Sequence, residues 1–212
     1  MRTPSLRLPR RLVSLSLATA AAALVAPAAA SAADCSTWNW YSMDQSKPFK
    51  EFGDNANYWV MIGGGFEKAA YWGQWKLGTA KVAAGNEPFG IYPGRNSLAL
   101  QNGTSATTPQ VCVNPSHPSF RFAMRASMAG SKLETFVNFT TLLGAKVSVP
   151  ARVNVIEQGG GWLVADSQPL ATLIPAAVLK FGTTASITFK ATTPTGGKIS
   201  IDSVMVDPYR RG

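Results

Sequence analysis

Five of the six tryptophans fall between Trp38 and Trp75, and Tyr71-Trp72-Gly73-Gln74-Trp75 sets three aromatic rings beside a glutamine amide. Sugar rings stack on exposed aromatic faces, and neighbouring Asn, Gln or Glu side chains take up the hydroxyls. Trp72 and Trp75 are therefore the expected stacking rings, with Gln74 as the hydroxyl partner. Trp162, behind Gly159-Gly160-Gly161, is a second ring of the same kind. The competing reading makes these aromatics core, because a large aromatic ring is usually mostly buried.

Catalytic patterns are sparse. The single histidine, His117, lies between Ser116 and Pro118, and no G-x-S-x-G elbow accompanies it, so a Ser-His-Asp or Cys-His centre has little to draw on. Zinc lacks a second histidine. Glu67, Glu87, Glu134, Glu157 and Asp202 could supply the carboxylate pair of a glycoside hydrolase, but spacing alone does not show which of them converge. A hydrolase using Glu87 or Glu157 thus stands behind two other readings: a non-catalytic glycan-binding module, and a structural or protein-interaction module of the cell envelope.

These residues sit in an exported chain. Arg2, Arg7, Arg10 and Arg11 precede an apolar, Ala-rich run from Leu12 to Pro27. Ala30-Ser31-Ala32 then offers a cleavage site, which predicts a signal peptide over 1–33 cut after Ala32 or Ala33 and no membrane span in the mature, secreted protein. Beyond that segment 16 basic residues face 11 acidic ones, so the excess falls from +9 to +5. The basic residues are scattered, which argues against nucleic acid as a partner. The only cysteines, Cys35 and Cys112, are expected to form a disulfide in an oxidising compartment.

The elements that must position these groups read as strands. Residues 34–57 form an aromatic-rich arm with turn signals at Lys47-Pro48 and Gly53-Asp54-Asn55 and no helical period. From Tyr58 to Tyr209 the chain consists of short apolar or alternating runs separated by Gly, Pro, Asn and Ser. Phe120 to Arg125 alternates most cleanly, with Phe120, Phe122 and Met124 inward and Arg121 and Arg125 outward. Pro150 breaks the run Lys146–Ile156. Pro169 and Pro175 limit any helix in 170–180 to a single turn. The pattern predicts one all-β domain over 58–209, a single jelly-roll β-sandwich preceded by its arm.

Several short strings occur in a telling order: Gly64-Gly65-Phe66-Glu67, Gly85-Asn86-Glu87-Pro88, Ser116-His117-Pro118-Ser119-Phe120-Arg121-Phe122, and the terminal Ile199-Ser200-Ile201-Asp202-Ser203-Val204 running on to Pro208-Tyr209. From Ile62 to Tyr209 the chain resembles actinobacterial-type secreted proteins with galactose-binding-like, carbohydrate-binding-module jelly rolls. The resemblance implies that the first and last strands lie side by side and bring Glu67 towards Asp202. It also implies a structural Ca2+ held by that pair, with no cofactor required for binding. Ser203 departs from the pattern, which often has a second Asp or an Asn there. The implied partner is a polysaccharide or cell-envelope glycan, bound by a monomer.

Overall fold

The computed structural model describes Cys35, residues 46–180 and residues 183–207. The signal segment, Trp38, Trp40 and the terminal Pro208-Tyr209 lie outside the described residues. The strands in chain order are β1 (Trp59–Val60), β2 (Lys81–Ala84), β3 (Asn96–Gln101), β4 (Ser105–Thr107), β5 (Val111–Val113) and β6 (Ser119–Ala126), then β7 (Ser131–Thr140), β8 (Lys146–Ile156), β9 (Trp162–Val164), β10 (Gln168–Pro169), β11 (Thr183–Thr192) and β12 (Lys198–Asp207). They form two antiparallel sheets packed as a jelly-roll sandwich. The larger runs β10-β6-β12-β3-β2, with β1 added to β12 and β9 to β6. The smaller runs β4-β11-β7-β8, with β5 added to β11.

Alternation explains the core. Phe120, Phe122 and Met124 of β6 and Ile199 and Ile201 of β12 face Leu133, Val137 and Phe139 of β7 and Ile187 and Phe189 of β11, all buried in one cluster. Rings of Phe120 and Phe122 meet Phe189 edge-on at 6.4 and 5.1 Å. Such aromatic contacts add to the area they bury.

Three local outcomes differ from the sequence reading. Residues 146–156 stay one strand across Pro150, because the ladder slips there: Phe136 faces Pro150 while Thr135 faces Arg152. A bulge on the edge strand absorbs a residue without an N–H. Second, Ala69–Trp72 is a single helical turn, α1, rather than extended chain. Ala69-Ala70 favours the turn, and Gly73 closes it. Third, Arg121 points away from the main core, as expected, yet is buried beneath the arm. The short helix α2 (Ala176–Leu179) is the single turn that the prolines allow.

The arm is built onto the outer face of the larger sheet. Ser46 bridges to Tyr58, and a 3-10 turn at Lys50–Phe52 lays Phe49 against Tyr58 at 4.8 Å. Phe49, Tyr58, Ile91, Ala123 and Met205 form a second, smaller core there. Arg121 lies within it. Its guanidinium bonds Asp54 at 2.9 Å and the Ala165 carbonyl at 3.1 Å, and stacks over Phe49 at 4.6 Å. Burial pushes Asp54 up, but bonds from Ala56 N–H, the Tyr58 hydroxyl and Arg121 outweigh it, holding the carboxyl below its usual range.

Cys35 is disulfide-bonded to Cys112 of β5, with a sequence separation of 77. A cross-link over such a loop removes chain entropy from the unfolded state, worth about 4 kcal/mol. The Cys35→Ser/Cys112→Ser variant should therefore lose stability of that order. Urea unfolding of the two forms measures the loss, and equal midpoints would show the bridge to be stabilising nothing.

Candidate functional site

The first and last strands do pair. Trp59 faces Val206 and Val60 faces Met205, and the contact extends through Met61 N–H to the Val204 carbonyl and Val204 N–H to the Gly64 carbonyl. Strand β3 pairs with β12 only as far as Ile201–Leu98, so β1 takes over its side of β12 at a bulge between Asp202 and Met205. Ser203 adopts φ 51° in this bulge. Gly64 is required opposite it, because a Cβ there would lie 2.6 Å from the Val204 carbonyl oxygen. A fully buried side chain, Asp202, sits at the handover.

Asp202 and Glu67 hold the two ends of one loop. Asp202 accepts the N–H of Glu87 at 3.1 Å and that of Ser203 at 2.7 Å. Glu67 accepts the N–H groups of Arg95 and Asn96, each at 2.7 Å, and the Asn96 side-chain amide at 3.3 Å. Between them Glu87, itself buried, accepts the N–H groups of Phe89 and Tyr92 and meets the Ser203 hydroxyl at 3.3 Å. Burial pushes the Asp202 carboxyl up to about 7; the two N–H bonds pull it down, and the charges of Glu87 and Glu67 raise it further.

The two carboxylates expected to hold calcium are engaged here by N–H donors. Calcium needs about six to eight oxygens around one point. Among the described residues no three His, Cys, Asp or Glu side chains are grouped to hold a metal ion. The carboxylates bond to backbone N–H donors, and Asn86 Oδ1 is the one buried side-chain oxygen here without a partner. Glu67 and Asp202 are thus placed as a hydrogen-bonded clamp on residues 85–96. Sequence reasoning missed Glu87 as their partner, although Gly85-Asn86-Glu87-Pro88 carried it.

The aromatic run separates into different roles. Trp75 lies in the main core: it is 4 % exposed, its indole N–H donates to the Ile62 carbonyl at 2.8 Å, and its ring contacts Phe66 and Phe189 at 4.9 and 6.1 Å. It offers no face to a sugar. Trp72, at the end of α1, packs half-buried against the same core. Gln74 is exposed and donates to the Ala70 carbonyl at 3.3 Å. His117 is buried beside Trp59, and burial lowers its pKa to about 4, so it is neutral at pH 7.

Trp162 lies elsewhere, on the outer face of the larger sheet. Register places Trp162 of β9, Arg125 of β6 and Ser200 of β12 in one row across three strands. The Arg125 guanidinium lies over the Trp162 ring at 5.0 Å. Ser127 Oγ accepts the Lys198 N–H at 2.9 Å. Arg125, Ser127, Gly160, Lys198 and Ser200 line a cavity of about 240 Å³. Its wall follows from Gly159, whose missing Cβ lets the loop approach the Ser127 carbonyl, where a Cβ would stand 3.0 Å away. The Phe120–Arg125 alternation sent Arg125 outward; only the strand register brings Lys198 beside it.

No protein-family model matches the chain, and no curated protein matches it. Among solved structures it is similar to a family 61 carbohydrate-binding module in complex with β-1,4-galactotriose, at 17% identity and a TM-score of 0.44, over 71% of this chain and 98% of that one. It is also similar to the xylan-binding family 22 domain of Paenibacillus barcinonensis Xyn10C, at 14% identity and 0.46, over 65% and 87%. A third is a family 43 arabinoxylan arabinofuranohydrolase from Bacillus subtilis, in complex with cellotetraose, at 15% identity and 0.43, over 63% of this chain but only 25% of that one. The fold assignment itself rests on the strand pairings above.

The Asp202 geometry has a pH signature. A carboxyl with a raised pKa favours folding when protonated, so its contribution is full below about 4 and is lost as pH rises towards about 7. Asp202→Asn carries a pH-independent cost, since its Oδ1 can accept one N–H but its Nδ2 cannot accept the second, yet it abolishes this slope. The stability gap between the variant and the parent should narrow between pH 4.5 and 7.5, by at most about 1.4 kcal/mol per pH unit. Urea midpoints at the two pH values check it, and a constant gap would refute the assignment.

Proposed function

We propose that this chain is a secreted, non-catalytic β-sandwich module that binds a glycan, acting as a monomer with no required cofactor. The observation that carries the reading is the cavity on the outer face of the larger sheet, lined by Ser127, Ser200, Lys198 and Arg125, whose guanidinium lies over the Trp162 ring. A concave site with a few convergent polar groups is the usual form of a small-ligand site. The signal-like N-terminus and the Cys35–Cys112 bridge support an extracellular setting. Neighbouring folds that hold β-1,4-galactotriose or bind xylan agree with this reading without carrying it.

Two placements weigh against the hydrolase reading. Glu87 is buried and committed to backbone N–H groups, and Glu157 stands exposed where β8 gives way to the glycine turn. The interaction-module reading has one observation in its favour: the tip between β7 and β8 presents Leu142 and Leu143, 62 and 96 % exposed.

Retention on an array of immobilised polysaccharides and peptidoglycan tests the proposal. Ser127→Trp, which fills the cavity mouth from an exposed position, should weaken retention at least tenfold, while Trp72→Ala should leave it unchanged. The reverse pattern would move the site to Trp72 and Gln74. Retention by no glycan would favour the interaction module.

A further inference from the structure

We infer that the cavity selects an acidic sugar, a glycan unit bearing a carboxylate such as a hexuronate; the inference rests on the glycan-binding reading and names its substrate class. Two cations line the cavity, Arg125 and Lys198. Among the described residues neither forms an ion pair: the salt bridges join Arg121 to Asp54, Arg152 to Asp166 and Lys190 to Glu134. Arg125 nevertheless is not loose. It is half-buried, and its guanidinium lies over the Trp162 ring, which is itself packed against the smaller core of the outer face.

A guanidinium fixed by a ring keeps its planar fork of donors for a planar oxyanion, which it can bind through two parallel bonds. The Lys198 ammonium adds a point charge across the same space. The cation over Trp162 also occupies the ring face that a neutral sugar would stack on, which turns the site from stacking to charge recognition. Ser127 and Ser200 supply hydroxyls suited to the remaining sugar oxygens. The volume of about 240 Å³ lies below the ~300–1,000 Å³ usual for drug-sized ligands and suits one sugar unit rather than a chain lying along a groove. The excess of basic residues beyond the signal segment favours approach of an anionic polymer.

Calorimetry with trigalacturonate, β-1,4-galactotriose and a sulfated oligosaccharide at one ionic strength tests this. Trigalacturonate should bind at least tenfold more tightly than galactotriose. Arg125→Gln and Lys198→Gln should each weaken trigalacturonate at least fivefold. Lys198 is exposed, so its variant retains the fold even if Arg125→Gln does not. Lys132→Gln, exposed on the other sheet, should change nothing. Equal binding of the neutral and acidic trisaccharides, indifferent to both variants, would overturn the acidic-sugar inference while glycan binding stands. Preference for the sulfated probe over trigalacturonate would overturn the carboxylate. Retention of no glycan on the array, together with no binding of any probe, would end both.

Discussion

The larger sheet is organised around β12, which pairs with β6 along one side and with β3 and then β1 along the other. A strand can change neighbours only where its ladder is interrupted, and the interruption leaves backbone N–H groups that must find acceptors. Asp202 is that acceptor. With no exposed surface it satisfies Ser203 within the bulge and Glu87 in the adjoining loop. A buried carboxylate is costly unless hydrogen-bonded, so the bulge, the loop and the side chain stabilise one another or fail together. Glu67, delivered by the segment following β1, closes the far end of the same loop. The contact between the chain's beginning and its end is thus made by backbone pairing and completed by carboxylates.

The outer face of the larger sheet shows how one surface is divided between stability and recognition. Its part around Arg121 and Ala123 is covered by the arm, with Asp54 and the Ala165 carbonyl satisfying the buried guanidinium. Four residues beyond Arg121 along β6, Arg125 meets no acidic partner among the described residues and lies over an indole instead. The same residue type, on the same face of the same strand, is neutralised in one place and left charged in the other. That difference comes from what covers the strand, not from the strand itself.

Much of the fold was legible because alternation is local. The inward set on β6 and the single helical turn near Pro175 follow from patterns within short windows, while the pairing of the first and last strands was what the resemblance implied. The roles of the aromatics were not legible, because nothing in the spacing of Trp72 and Trp75 tells a stacking ring from a core ring, and only the turn α1 sends Trp75 between Phe66 and Phe189. The clamp on residues 85–96 was half legible: Glu67 and Asp202 stood out, but Glu87 meets Asp202 and Ser203 only through contacts separated by 115 and 116 positions. The cavity was least legible, since Arg125, Ser200 and Trp162 share a row only once three strands have found their register.

The bulge opposite Thr135 and Phe136 has a consequence for how copies of this protein behave at high concentration. Strand β8 is an edge, and it shows Val153 and Val155 to solvent at 52 and 54 % exposure. A straight apolar edge of that length would template the addition of a strand from a second molecule. Pro150 withholds a donor and the slipped register bends the edge just before those valines, so an incoming strand meets a broken ladder. A residue that looked like a strand breaker in the sequence sits in the folded chain on the edge strand of the smaller sheet, beside the point where its ladder slips.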